Sequence, residues 1–586
     1  MSAQLKTPGV YVEEISKLPP SVAEVETAIP AFVGYTEKAT KKTDNDLKFV
    51  PTRITSMLEF EEYFGGANQL KLSLVDDEKE GTLVEQPTEI FLMYYAMQMF
   101  FANGGGPCYI VSVDDYSATA ISKDDLKEGL DTLEREDEPT LLVFPDAISL
   151  ETESDFYGIY SDALAQANKM KDRFVILDTF TGEPSTIANF RSNVAGDKYG
   201  AAYYPHLNTI LSFQYAEDVA ISHEGTGYNY VDEKARLNVI KNVSDEKVQL
   251  ETLRDDAAIT NATHAAANET LAQTQIDAIN AILDEPIEAN LDVSSATKFK
   301  DSIAEFLTAV SESNEEEVEV LISMINSTLD TPISATLDVS DATKFEESID
   351  TFLASLGSQV DEKGNFDGQT LTQLKESDPL LYASLEKQIK AMPVVLGPSA
   401  TIAGAYAKTD STKGVWKAPA NLGLSYVSSL TEKVTHEAQE SLNVDDNAGK
   451  SINAIRQFRG KGILIWGART LDGNSNEWRY VPVRRFFNMV EESVKKAMEG
   501  FVFESNNAKT WVKVQTMIEN FLNQQWRLGA LAGATPKDAY YVSVGLDKTM
   551  SAQDILEGRM NVEIGMAAVR PAEFIVLQFS HKLQES

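Results

Sequence analysis

The residues with the most evident chemistry in this 586-residue chain are Ala448-Gly449-Lys450-Ser451, which form the ending of a phosphate-binding loop. In such a loop the lysine reaches the phosphates and the hydroxyl binds the metal, but a glycine is needed five residues before Gly449. That position is Val444, so the pattern fails. Gly104-Gly105-Gly106-Pro107 is a second glycine-rich run. Phosphate cradles lead from a strand into a helix N-terminus, where free N–H groups meet the anion. This run instead leaves an apolar helical stretch and enters the strand-like Cys108–Val113, which predicts a plain backbone turn. The five histidines (His206, His223, His264, His436, His581) show no i, i+4 pair and no HExxH, and no GxSxG elbow is present. Glu315-Glu316-Glu317 with Glu319 reads as a solvated helix face, with divalent-ion contact as the other reading. The single cysteine, Cys108, excludes a disulfide or a cysteine zinc site within one chain. No catalytic, metal or cofactor site emerges, and the chain is expected not to be an enzyme.

The elements that would position any site are easier to read. Hydrophobic residues make up 43% and charged ones 24%, an ordinary globular mix, and the length suits several cores. Residues 1–40 form an arm and linker, with strand-like runs at Val10-Tyr11-Val12 and Ala31–Tyr35; Pro8 and Pro19 suit an edge or a linker. Ser56 with Glu59 and Gly65 predicts a capped short helix. From about residue 88 to 220 helices and strands alternate: an apolar helix at 90–102, strand Cys108–Val113, helix Ser122–Leu133, strand Leu141–Phe144, helix Ser154–Met170, strand Phe174–Asp178. Such alternation predicts a parallel-sheet α/β domain. Residues 232–390 are acidic, aromatic-poor and internally repeated: about 20 of the 35 positions in 276–310 recur at 322–356. Each copy reads as a helix, a turn at Pro286 or Pro332, a Leu-Asp-Val-Ser link and a second helix, so a duplicated helical hairpin is inserted here. Residues 391–470 return to α/β character. Residues 471–586 carry amphipathic helices at about 484–499 and 510–527 and end in two strand runs, Val562–Val569 and Phe574–Phe579. The predicted fold is α/β (α+β overall) and multi-domain, with boundaries at 1–40, 41–231, 232–390, 391–470 and 471–586.

The formal net charge is −39, which argues against nucleic-acid binding and against lying on an anionic membrane. The acid is unevenly placed. Counted along the sequence, residues 1–231 carry about −21, residues 232–390 about −20 and residues 391–586 about +2. Either this serves solubility, or separate layers give one end of the molecule its anionic character. No run reaches the length of a membrane helix and the start lacks the form of a signal peptide, so synthesis in the cytoplasm without export is expected.

Several stretches resemble the contractile tail sheath proteins of phages and phage-tail-like injection machines. They are Thr7-Pro8-Gly9-Val10-Tyr11-Val12, Pro51–Ser56 with Phe60–Gly66, Ala102–Tyr109, Gly397–Ala407 running into Gly414–Asn421, Ile452–Arg456, Trp466–Leu471, Trp478–Arg485, Gly529–Leu531 and Val569–Phe574. They occur in the family's order over about two thirds of the chain, leaving out the repeat region. The resemblance implies a structural subunit that forms six-fold rings stacked helically around an inner tube and contracts without ATP. It implies baseplate and cap partners and allows a sheath paralogue. In the family, terminal strands of neighbours interlock; here those would be Val10, Tyr11 and Val12, and Phe574, Ile575, Val576, Leu577 and Phe579. Both runs lie next to a proline (Pro8, Pro571), as donated edge strands would. A phage tail, an extracellular particle and a cell-anchored particle all stay open, and a non-contractile self-assembling surface protein is the alternative.

The charge split then suggests a near-neutral C-terminal domain packed against the tube and an acidic insertion facing out. Arg484, Arg485, Lys495 and Lys496, around one helix, are candidates for touching the tube. Pairing with Glu491 and Glu492 is the competing assignment.

Overall fold

The computed structural model describes residues 22–77, 81–223, 231–281, 287–328, 333–334, 337, 342–359, 366–445 and 447–577. They form two compact units, one from within Met1–Asn68, Thr88–Gln214 and Lys390–Ser586, the other from within Gln69–Pro87 and Tyr215–Ile389.

The first unit is built on a nine-stranded sheet: β1 (Pro30–Gly34), β2 (Thr52–Ile54), β3 (Cys108–Ser112), β4 (Leu141–Val143), β5 (Phe174–Leu177), β6 (Gly200–Tyr204), β7 (Leu422–Gly423), β8 (Ile452–Phe458) and β9 (Gly462–Ile465). Their order is β7-β9-β8-β6-β5-β4-β1-β3-β2. The six strands from β8 to β3 run parallel, and antiparallel strands close both edges. Central strands covered on both faces need no polar alternation. Accordingly Leu-Leu-Val in β4 and Phe-Val-Ile-Leu in β5 are wholly buried. Helices α1 (Met93–Ala102), α2 (Lys123–Thr132) and α3 (Glu153–Met170) lie between the early strands, with Ser122 and Thr152 capping α2 and α3 through their side-chain oxygens. The predicted cap at Ser56 is present, its hydroxyl accepting from the Glu59 N–H at 3.3 Å, and Gly65 ends that helix with φ +83°. The Gly104–Gly106 turn joins α1 to β3 as expected of a backbone turn.

The second unit contains α4 (Val231–Asp255), α5 (Ala262–Asn280), α6 (Ala296–Thr328) and α7 (Ala342–Gln359). The repeat is visible atom by atom. Asn280 donates to the Ile287 carbonyl and accepts from its N–H at 3.0 and 2.9 Å, and 46 residues later Asn326 does the same to Ile333 at 2.9 and 2.8 Å. Ile276, Ile279, Phe299, Ile303 and Phe306 fill one core, and Ile322, Ile325, Phe345, Ile349 and Phe352 fill the other. One feature differs from two separate hairpins. The second helix of the first copy and the first helix of the second are one 33-residue helix, α6, because nothing between Val310 and Ile322 breaks it. Gln69–Pro87, expected in the α/β part, belongs to this unit: its strand Ser73–Asp77 pairs with Gly81–Val84 and, in parallel, with Ser222–His223.

The chain re-enters the first unit and forms α8 (Ser399–Lys413). Beyond the sheet come α9 (Val481–Met498), α10 (Ala508–Arg527), β10 (Tyr540–Val544) and β11 (Val562–Met566), the last two an antiparallel hairpin. Phe486, Met489, Val490 and Val494 of α9 pack with Val514, Ile518, Phe521 and Leu522 of α10 in a separate apolar core. Among the described residues no helix is long and apolar enough to cross a membrane.

Candidate assembly interface

The C-terminal region leaves the fold at a side-chain clamp. Glu573 accepts from Arg469 Nε at 2.9 and 3.1 Å, from an Arg469 terminal nitrogen at 2.7 Å, from Asn443 Nδ2 at 2.8 Å and from the Tyr480 hydroxyl at 3.1 Å. The Arg469 side chain is almost wholly buried. Its backbone is fixed in turn: Asn453 of β8 accepts from the Arg469 N–H at 2.7 Å and donates to its carbonyl at 2.8 Å. Burial pushes the Glu573 carboxyl up, but the hydrogen bonds from Arg469 and Asn443 outweigh it and hold the group below its ordinary range.

Directly after the clamp, Phe574, Ile575, Val576 and Leu577 are 72, 77, 80 and 72% exposed and make no backbone hydrogen bond among the described residues. Among the described residues they form no strand, although Phe574 and Ile575 line one cavity with Ala420 and Asn421, next to the edge strand β7. Val10, Tyr11, Val12 and Phe579 lie outside the described residues. The linker that follows the N-terminal arm is tied down. Val22 joins the α9–α10 core, Gln525 donates to Glu24 at 3.1 Å, the Val25 N–H donates to Ser493 Oγ at 3.0 Å, and the Thr27 hydroxyl donates to Asp410 at 2.6 Å.

The α9 cations divide into two kinds. Arg484 is 2% exposed, hydrogen-bonded to Asn488 at 2.7 Å and Glu491 at 3.0 Å, and stacked 4.3 Å from the Trp478 ring. Arg485 is 4% exposed and bonds Asp410 at 2.5 and 3.1 Å and the Thr27 carbonyl at 2.8 Å, over the Tyr406 ring. Placing these two arginines at a tube surface is therefore corrected: both are internal ties, turned inward by ring stacking and by a carboxylate that α8 supplies. Lys495 and Lys496 point outward, with 64% and 41% of their side chains exposed; Lys495 donates to Glu492 at 2.9 Å and Lys496 lies 3.8 Å from the same carboxylate.

Ser399 Oγ donates to Asp178 Oδ2 at 2.5 Å, yet the nearby His206 gives its Nε2 to the Thr179 carbonyl at 2.8 Å, so no serine–histidine relay forms. Asp146 and Asp178 are fully buried carboxylates that cap the starts of α1 and α8; burial pushes both up to about 7 against the pull of those N–H bonds. Neither was singled out from the sequence, since a lone aspartate after a strand carries no distinctive spacing. The clamp was missed as well, although its parts lay in four of the recognised motifs (Asn453, Arg469, Tyr480, Glu573). Of the Glu315–Glu319 run, Glu317 bonds Arg236 at 2.5 and 3.2 Å, and no metal-holding acidic group occurs among the described residues.

The described C-terminal stretch is thus an exposed apolar run that begins directly after an anchored residue. Residues 474–582 match the phage tail sheath C-terminal domain family. The tail sheath protein of Enterobacteria phage T4 is 25% identical over 186 residues, 31% of this chain and 26% of that protein, so the chain spans about a quarter of that relative's length. The fold matches over nearly its whole length. A chain of the anti-feeding prophage (AFP) baseplate, 6-fold symmetrised, is 26% identical with TM-score 0.52, covering 99% of this chain and 100% of the other. The AFP helical sheath in its contracted state is 25% identical with TM-score 0.54 over the same shares. In sequence and in fold, the chain resembles the contractile tail sheath proteins.

Proposed function

We propose that this chain is a sheath subunit of a phage tail or tail-like injection particle. Copies stack as six-fold rings in a helical cylinder around an inner tube, between a baseplate and a cap. Contraction drives the tube through a target envelope, and the energy is stored in the extended assembly, without nucleotide or catalysis. The observation that carries this reading is the run Phe574–Leu577: four exposed apolar residues, in a matched sheath domain, immediately beyond an anchored root. An unpaired extended segment of this kind gains main-chain hydrogen bonds only by joining another sheet. A receiver is available. The β10–β11 hairpin has no further strand on either side among the described residues. Beside β11 lies a groove of about 440 Å³ lined by Val490, Val494, Met498, Met560, Ile564 and Met566. A neighbour's strand can add to the hairpin edge while its apolar side chains enter this groove.

Negative-stain microscopy of the chain with the tube protein tests the proposal, alongside a version lacking residues 1–20. Hollow striated cylinders from the intact chain, and none from the truncated one, are the expected result. Dispersed particles in both cases overturn it.

A further inference from the structure

Resting on the sheath reading, we propose that the Arg469–Glu573 clamp is the fixed root of the exchanged C-terminal strand: it stays shut while the strand is held by a neighbour, and so sets where and in which register that strand emerges. Three observations carry this. The Glu573 carboxylate accepts from three side chains drawn from separate parts of the chain, and its principal partner is a buried arginine whose own backbone is pinned to β8. Charge-assisted, multidentate bonds of this kind are the strongest that side chains form, and opening them would strand the Arg469 charge out of water. Second, the exposed apolar run begins at the very next residue, so the emerging strand has no slack after its anchor. Third, the stretch before the clamp does have room to adjust. Among the described residues the last backbone tie is the Val569 N–H to the Ala530 carbonyl at 3.1 Å, and Arg570 and Ala572 then lie open to solvent. Register is therefore decided at Glu573, and not by the length of chain between β11 and the tail.

The two sides of the clamp can be lengthened separately. A Gly-Ser pair inserted between Glu573 and Phe574 displaces the emerging strand by two residues, about 7 Å. The same pair between Arg570 and Pro571 bulges into solvent and leaves the root where it was. With a closed clamp, the upstream insertion forms cylinders within about twofold of the wild-type yield and with unchanged axial repeat. The downstream insertion cuts the yield at least about tenfold or changes the repeat. Adding Glu573→Gln to the upstream insertion brings it down to the downstream level. If the two insertions act alike in otherwise unaltered chains, the link is read end to end and the clamp proposal is wrong. If the wild-type chain with its tube protein forms no cylinders at all, the sheath reading fails and takes this inference with it.

Discussion

Replacing Asp410 by alanine separates an internal tie from a tube contact. Arg485 would keep its place over the Tyr406 ring but lose both bonds to the Asp410 carboxylate, and the Thr27 hydroxyl would lose its acceptor. The pair is almost dry, with side chains 4% and 7% exposed, so water cannot replace the missing partner. Removing one member of a buried pair costs about 3–5 kcal/mol. At about 2–4 °C per kcal/mol for a large domain, the expected fall in Tm is on the order of 10 °C. Scanning calorimetry of the dispersed subunit measures it, with no tube protein present. Combining Asp410→Leu with Arg485→Met removes both charges together, and most of the lost stability should return, since an apolar pair of similar volume is tolerated where a lone charge is not. The reasoning is refuted if Asp410→Ala lowers Tm by less than about 2 °C, or if the double change is no better than the single one. It is also refuted if Arg485→Glu leaves Tm alone but releases the tube, because the arginine would then be facing outward.

Reversing Lys495 and Lys496 to glutamate should act in the opposite sense. Exposed pairs of this kind are worth at most about 1 kcal/mol, so Tm should barely move, while co-sedimentation with the tube weakens if the outward face of α9 meets an acidic tube. Equal co-sedimentation would remove these lysines from the tube contact. Asp178 should give the molecule a pH dependence of definite sign. Its carboxyl stands near 7 in the fold, above the unfolded value of about 3.9, so its contribution is fully present below pH ~4 and is lost as pH rises through 7. Asp178→Asn should therefore flatten the fall in unfolding free energy between about pH 4 and pH 7, measured by urea titration; an unchanged slope assigns the fall to other groups.

The parts of the fold legible in the sequence are those set by local pattern. Apolar runs such as Leu141–Phe144 and Phe174–Asp178 announced buried parallel strands, Ser56 and Glu59 announced a cap, and the spacing of Trp511, Val514, Ile518, Phe521 and Leu522 announced the inward face of α10, on which Trp511 is only half-buried. The parts that stayed hidden depend on partners far apart in the chain. Arg485 meets Asp410 across 75 residues and Thr27 across 458; Arg469 meets Glu573 across 104. Residue type alone marks an arginine as a surface cation, and only the topology reveals a carboxylate opposite it. The Phe574–Leu577 run shows the reverse case. Its composition reads as a strand, yet a strand is a relation between two segments, and no second segment pairs with it among the described residues.

The shared helix α6 governs how the second unit can change size. Because one helix closes the first copy and opens the second, excising a single hairpin at its apparent ends would cut α6 and leave half of each core without a wall. Excising one whole period would not: Ile276 and Ile322 hold equivalent places, so a chain joined from Ile276 to Ser323 runs straight from α5 into the far half of α6, and Asn326 still finds Ile333. The unit behaves as a ruler graduated in steps of 46 residues, and related proteins that gained or lost copies would do so in whole graduations, with helix phase as the gauge that rejects every other length.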